Sequence, residues 1–470
     1  MTNVLGRSMA IALALGLTGC AIVSPQLKPD VPVAGTWNEA APANAAVVSP
    51  TWWESFGSVE LRSLVAESLA GSPDLAIATE RVRQAEAQVR VAGASLFPML
   101  SAGADTSSRR TGGAGGAATS NASGFTLTAS YELDLWGRNR AGVRAAESSL
   151  AATGFDRDTA RLTLISGVAT SYFDVLALRT RLGIARENLA IAERVLELVS
   201  ARARNGAAGA LDVSRQEATV LSQRAALLPV EQLERQTLAA LAVLLGRPPE
   251  GFDVQGTGIV DLAVPAIDPG LPAELLVRRP DLASAEAQLA AANADVAAAR
   301  AALLPSIKLT GVAGLASGAL LSLVSGGTTS AIGIAASLLQ PIFDGGRLRG
   351  QKAIAESRER ELVETYRKAI LSALADVEQA LAGASRLGQQ ERLQDSVQAR
   401  ARESLRLAEV RYRQGADDLL TVLDAQRTLF SAQDQLAQVR LSRVQAAVSL
   451  YKALGGGWTG PEAMAAGPPA

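Results

Sequence analysis

The chemistry open to this chain is bounded by what it lacks. Its 470 residues include no histidine and one cysteine, which excludes histidine triads, HExxH zinc sites, disulfides and CxxC redox pairs. No Walker lysine loop, GxSxG elbow or dinucleotide glycine fingerprint occurs either. The reading is therefore a protein that is not an enzyme and takes no cofactor or metal. Its polar chemistry gathers late in the chain, in EVRYRQGADDLLTVLDAQRTLF, residues 409–430. There Gly415 breaks a long helical pattern, with Arg411 and Tyr412 before it and Asp417, Asp418, Leu420 and Asp424 after it. A glycine just past the last helical turn takes the left-handed conformation that ends a helix. The stretch reads as a hairpin tip bearing ion-pair and hydrogen-bond groups, whose bland alternative is a solvated turn with pairs worth about 0–1 kcal/mol each.

The one cysteine is informative through its position. Arg7 precedes an apolar run from Met9 to Leu17, and LTGC ends at Cys20. Residues 1–19 read as a secretory signal peptide, too short to span a bilayer as a mature helix. Thr18 and Gly19 before Cys20 resemble a bacterial lipobox, which makes Cys20 the lipidated (palmitate-bearing) mature N-terminus of a lipoprotein. Ala21, rather than an aspartate, points to the outer membrane. From 20 to 60 the chain is rich in Pro and Ala and reads as a lipidated strap along the body.

With 48% hydrophobic but only 4% aromatic residues, the composition suits long, closely packed helices. A net charge of −1 offers no basic stripe to nucleic acid. Compared with itself, the chain is a tandem duplication. The segment 73–98 aligns with 280–305 without a gap, and Arg138, Arg202, Arg204 and Gly206 recur at a constant offset as Arg347, Arg411, Arg413 and Gly415. The first repeat spans 61–250, an inter-repeat segment 251–272, the second repeat 273–455 and a C-terminal tail 456–470.

Within each repeat the hydrophobic period changes. FTLTASYELDLW, 125–136, alternates apolar and polar residues as a strand does. Strands are expected at 98–110, 124–136, 305–315 and 329–342, joined in pairs by Gly/Ser-rich loops. Each is near the length of about 10 residues that crosses a membrane tilted. Open edges are not tolerated in lipid, and the smallest such barrels have about eight strands. Four strands per chain therefore require a barrel shared between copies. Long helices are expected at 137–205 and 346–414, each about 100 Å at ~1.5 Å per residue, with return helices at 211–245 and 417–454. Leu182, Leu189, Leu196 and Val199 suggest a coiled-coil seam, and Pro229 a kink. The tip glycines are Gly206 and Gly415.

The lipobox, WWESFGSVEL, the two PDL helices ending in Pro, YELDLWGRNR, LLQPIFDGGRLR, the 411–433 motif and the terminal LYKALGGGW together resemble the outer membrane factor family of tripartite efflux systems, in its lipoprotein branch. The resemblance covers nearly the whole mature chain. It implies an α+β membrane protein: a homotrimer with a twelve-stranded outer-membrane β-barrel, a twelve-helix periplasmic tunnel of coiled coils, and an equatorial belt from the inter-repeat and terminal segments. It further implies passive efflux of small molecules, with an inner-membrane transporter of the RND type acting through a periplasmic adaptor. Carried over by motif position, Arg411, Tyr412, Asp417, Asp418 and Asp424 fall in a polar network that closes the tunnel, and Leu420 in an apolar ring. Asp212 of the first hairpin is the candidate acceptor for Arg411 or Tyr412. Three acids per subunit near the axis would favour cations. A type I protein-secretion duct and a coiled-coil lipoprotein without a pore remain alternatives, and a soft-metal relay has little support from four methionines and no histidine.

Overall fold

The computed structural model describes residues 27, 29–39, 45–113, 116–317 and 329–460. The signal segment, Cys20 and the 318–328 connection lie outside the described residues. Along the chain run α1 (Val59–Gly71), α2 (Pro73–Ala94), β1 (Met99–Gly113), β2 (Gly116–Leu133), α3 (Arg138–Arg204) and α4 (Ala210–Leu244). The second repeat supplies α5 (Pro280–Ala301), β3 (Ser306–Ser317), β4 (Thr329–Leu339), α6 (Arg347–Arg413) and α7 (Leu419–Ala453). The duplication is exact in helix length: α2 and α5 have 22 residues, α3 and α6 have 67, α4 and α7 have 35.

The chain divides into two compact units. The unit built from residues 81–154 and 284–367 carries a four-stranded antiparallel sheet in the order β1-β2-β3-β4. Directly paired residues share a face, so the register sorts the side chains. Phe125, Leu127, Ala129, Tyr131 and Leu133 lie on the face of Ala104, Ala102 and Leu100 of β1 and of Leu315, Ala313, Leu309 and Ile307 of β3. Ile332, Ile334 and Leu338 of β4 extend the same apolar face. Asp105, Thr126, Thr128, Ser130, Glu132, Lys308 and Thr310 occupy the other. Within the chain β1 and β4 each keep one unpaired edge, and Ile334 is 88% exposed.

The strands depart from the sequence expectation at their ends. β1 and β2 continue pairing up to Gly113↔Gly116, through residues expected to form a loop. That stretch is Gly, Ala, Ser, Thr and Asn without hydrophobic alternation, so its pairing rests on the backbone ladder. β4 stops at Leu339, before Pro341, whose missing N–H cannot extend a ladder. Beyond the strands, Asp134 accepts from the backbone N–H groups of Asn139 (3.0 Å) and Arg140 (2.9 Å), and Asp344 from those of Gly346 (3.0 Å) and Leu348 (2.9 Å). Each carboxylate satisfies orphan donors where a long helix begins.

The other unit comprises 31–80, 155–283 and 368–470. Trp52 to Phe56, expected within an extended strap, instead form a 3-10 turn in the core. Trp52 stacks on Tyr451 at 4.9 Å between centroids, and Phe56 lies 4.9 Å from Phe173. Upstream, Trp37 donates to the Gly270 carbonyl at 2.9 Å and Ala46 bridges Ile267 in parallel. Of the expected coiled-coil seam of α3, Leu182 and Val199 are buried and Leu189 and Leu196 half-buried; Asn188, Ala192 and Val195 share the buried stripe. α4 runs on through Pro229, which is exposed and interrupts no assigned turn.

Besides the Ala46–Ile267 bridge, the inter-repeat segment is held by side chains. Arg179 of α3 donates to the carbonyls of Val254 (2.6 Å) and Gly256 (2.7 Å), to Glu234 (2.8 Å) and to Asp253. Thr180 accepts from Ile259 N at 3.0 Å. Arg440 of α7 donates to the Ile259 carbonyl at 3.1 Å and to Val260, and its other arm meets Glu391 of α6 at 2.7 Å. Residues 253–262 thus tie both hairpins together.

Elsewhere in this unit Asp174 of α3 accepts a 2.7 Å hydrogen bond from Gln445 of α7. Burial pushes its carboxyl up to about 6, and the Gln445 bond only partly offsets that. With the folded value above the ordinary 3.8, the native state binds more protons between the two, so this group's contribution to stability falls as pH rises through that window. Asp174→Asn keeps an acceptor for Gln445 and removes the charge. It is expected to raise the unfolding midpoint at pH 7.5 and to leave it unchanged near pH 4, as thermal scans at the two pH values would show.

Candidate gate at the hairpin tips

Both hairpins turn by the same device. Gly206 and Gly415 have φ of 75° and 76°. Ala207 N donates to Arg202 O at 2.8 Å and Gly206 N to Ala203 O at 3.0 Å; Ala416 N donates to Arg411 O at 2.9 Å and Gly415 N to Tyr412 O at 3.0 Å. This paired 6→1 and 5→2 pattern closes a helix through a left-handed residue. A side chain at either glycine would be strained in that region by about 1–2 kcal/mol. Gly415→Ala is accordingly expected to accelerate hydrogen exchange of the Gly415 and Ala416 amides while leaving α6 and α7 protected elsewhere.

After the turn, Asp418 caps α7. Its Oδ1 accepts from Thr421 N (3.0 Å) and Thr421 Oγ1 (2.9 Å). This is why α7 starts at Leu419 rather than at 417. Arg411 and Asp417 form a two-armed pair across the turn, Nε to Oδ2 at 2.7 Å and Nη2 to Oδ1 at 3.0 Å. The Arg411 hydrogen bonds hold the Asp417 carboxyl below the ordinary carboxylate range. Asp424 pairs with Arg427, one turn along α7, at 2.6 Å. Leu420 is 52% exposed and lines an open groove with Leu423, Asp424 and Phe430 of α7 and Thr219 of α4.

The expected acceptor, Asp212, is engaged differently within the chain. Its Oδ2 takes the Gly209 N–H at 3.1 Å and so caps its own helix, and it pairs with neither Arg411 nor Tyr412. Arg411 is already occupied by Asp417, which sits nearer in sequence and on the same turn. Tyr412 is buried, and its hydroxyl has no partner among the described residues. Burial pushes the phenol up; the Arg202 charge opposes this and the Asp212 charge adds to it.

Sequence reasoning missed Arg202 as a tip residue. Its guanidinium lies 4.3 Å from the centroid of the Tyr412 ring and donates to the Tyr412 carbonyl, a cation–π contact between the two hairpins. The signal was present in the repeat: Arg202 is the counterpart of Arg411, yet one crosses to the second hairpin while the other closes on its own turn. Arg427 was also passed over, three residues after Asp424 on one helix face.

The tip arrangement holds no group of three metal-ligating side chains among the described residues. It consists of short-range ion pairs and caps at the ends of paired 67-residue helices. Together with a sheet whose one face is apolar from edge to edge, it defines an outer membrane channel subunit. The sequence profile described as outer membrane efflux protein matches residues 64–247 and 271–456, one stretch for each repeat. The chain belongs to that family. It is 45% identical over 423 residues, 87% of each chain, to the pyoverdine export outer membrane protein OpmQ of Pseudomonas aeruginosa. It is 35% identical over 460 residues to outer membrane protein OprJ of the same species, covering 96% of this chain and 95% of OprJ. Its fold matches the open-state MtrE outer membrane channel of Neisseria gonorrhoeae with a TM-score of 0.83 and 32% identity, over 94% of this chain and 99% of MtrE.

Proposed function

We propose that this protein is the outer membrane duct of a tripartite efflux pump, a homotrimer that conducts small molecules passively and is gated at the hairpin tips. The observation that carries the reading is the sheet. Its apolar face suits lipid and its polar face a watery lumen, while two free edges need further strands. Three copies supply twelve strands around an aqueous lumen and, in the other unit, twelve helices around a tunnel. Energy enters from an inner-membrane transporter of the RND type through a periplasmic adaptor, and no step of catalysis belongs to the duct. Cys20 carries the lipid that adds a second membrane attachment, with about 0.8 kcal/mol per buried CH₂. The export of pyoverdine by the 45% identical relative favours a secreted small molecule, such as a siderophore or drug, over a protein substrate.

At the tips the Arg411–Asp417 pair, the Asp418 cap, Asp424 and Tyr412 form weak links that symmetry multiplies and an adaptor can replace. Leu420 and Asp212 face the same gate from α7 and from the first hairpin. The test is single-channel conductance in planar bilayers. Wild type is expected to give a small, mostly closed current, and Arg411→Ala with Asp424→Ala a several-fold larger one. No current from folded protein of either kind would end the channel reading. Equal currents would remove the gate and keep the pore.

A further inference from the structure

The register that sorts the sheet into two faces also measures depth. On the apolar face Leu133 and Phe125 of β2 stand eight residues apart, and Ile307 to Leu315 of β3 cover the same span. At ~3.4 Å per residue that is about 27 Å of strand, or about 20 Å across a membrane at a tilt of about 40°. The exposed rings of Phe97, Trp136 and Phe343 lie just beyond the helix-side ends of β1, β2 and β4. Aromatic side chains favour a membrane interface, so they mark one edge of the band.

At the other edge the same face turns polar while the strands go on. Beyond Phe125, β1 and β2 pair through three polar rows: Thr106 with Ser123, Ser108 with Asn121, and Arg110 with Thr119. The hydroxyls of the first row are 3.0 Å apart. Arg110 is exposed, and it is the single charged residue on this side of the sheet among the described residues. Two residues per row put the rows about 5, 10 and 15 Å above Phe125. The polar layer of an ordinary bilayer is about 5–8 Å deep on each side. It reaches the first row and leaves Arg110 above it.

We propose that this collar binds an anionic glycolipid of the surrounding leaflet, whose sugars stand taller than a phospholipid headgroup. Arg110 holds a phosphate or carboxylate carried on those sugars, since a guanidinium matches either with two parallel hydrogen bonds. The Ser108–Asn121 row below it meets sugar hydroxyls. The inference rests on the barrel reading of the sheet and adds a ligand for its outer rim. Arg109 supplies the control. It pairs with Ser120 on the face of Asp105 and Thr126, so the same charge at nearly the same height is turned away from lipid.

The experiment extracts the full-length protein from outer membranes in mild detergent, checks the barrel by heat-modifiable mobility on gels, and measures the glycolipid retained per chain by sugar and phosphate analysis. Wild type is expected to retain it, Arg110→Glu to retain at least threefold less, and Arg109→Glu to match wild type. Rough lipopolysaccharide added to delipidated wild type should rebind, and an equal concentration of phosphatidylglycerol should not displace it. Equal retention by wild type and Arg110→Glu would overturn the proposal, as would equal loss in both arginine variants. Displacement by phosphatidylglycerol would assign Arg110 to an ordinary headgroup and overturn the argument from height. Heat-modifiable wild type without glycolipid would leave the collar to solvent and the barrel standing. An absence of any heat-modifiable species would remove the barrel and the collar together.

Discussion

Leu127→Arg is expected to cost about 2–4 kcal/mol near the bilayer midplane and to abolish most of the assembled barrel. Thr128→Arg, one residue along, is expected to assemble normally. The contrast comes from the register. Leu127 pairs with Ala102 and Ala313 on the apolar face, whereas Thr128 pairs with Ser101 and Val312 on the opposite one. A guanidinium on the first face must enter hydrocarbon or draw water and headgroups to itself; on the second it enters an aqueous lumen. Heat-modifiable mobility of membrane fractions on gels distinguishes the two. Equal loss in both variants would mean that neither face is solvated, and equal survival would mean that neither meets lipid.

The sheet also shows which parts of the fold could be read from the chain. β2 was legible because Phe125 to Leu135 alternate without exception, and the helices because their repeat units recur at a fixed offset. The ladder from Thr111 to Gly113 was not legible. Strand pairing there rests on backbone hydrogen bonds, which leave no mark on side-chain choice. The Trp52–Phe56 turn was hidden for a related reason: a Pro- and Ala-rich approach says nothing of Tyr451 and Phe173, which lie far along the chain and receive its rings.

At the tips, residue identity was legible and pairing was not. Motif position gathered Arg411, Asp417, Asp418 and Asp424 at one turn, but local geometry decided their bonds. Asp418 stands where a cap is needed, Asp417 where Arg411 can close on it, and Asp212 at the start of its own helix. Arg202 escaped notice because duplication suggests equivalent roles for equivalent residues. Two copies of one hairpin cannot both be the one that reaches across.

That asymmetry recurs at the inter-repeat segment and sets the second large expectation. In the first hairpin the long helix supplies the cation, Arg179, and the return helix the anion, Glu234. In the second the signs are exchanged: Glu391 on α6 faces Arg440 and Arg443 on α7. Glu391 has a side chain only 9% exposed and serves two guanidiniums, so Glu391→Ala leaves both without an anion in a nearly dry site. Breaking a buried pair from one side costs about 3–5 kcal/mol, and Arg440 would also loosen its hold on the Ile259 and Val260 carbonyls. Glu234→Ala should cost far less, because Arg179 keeps Asp253 and two backbone carbonyls. Urea unfolding of the two variants, with limited proteolysis across residues 251–272, gives the comparison. A large loss with early cleavage for Glu391→Ala alone would make the second hairpin's buried carboxylate the anchor of the tie between the repeats. Similar small losses in both variants would place the segment's stability in the packing of Gly256 and Gly258 against α3, where an added Cβ would crowd Leu176 and Thr180.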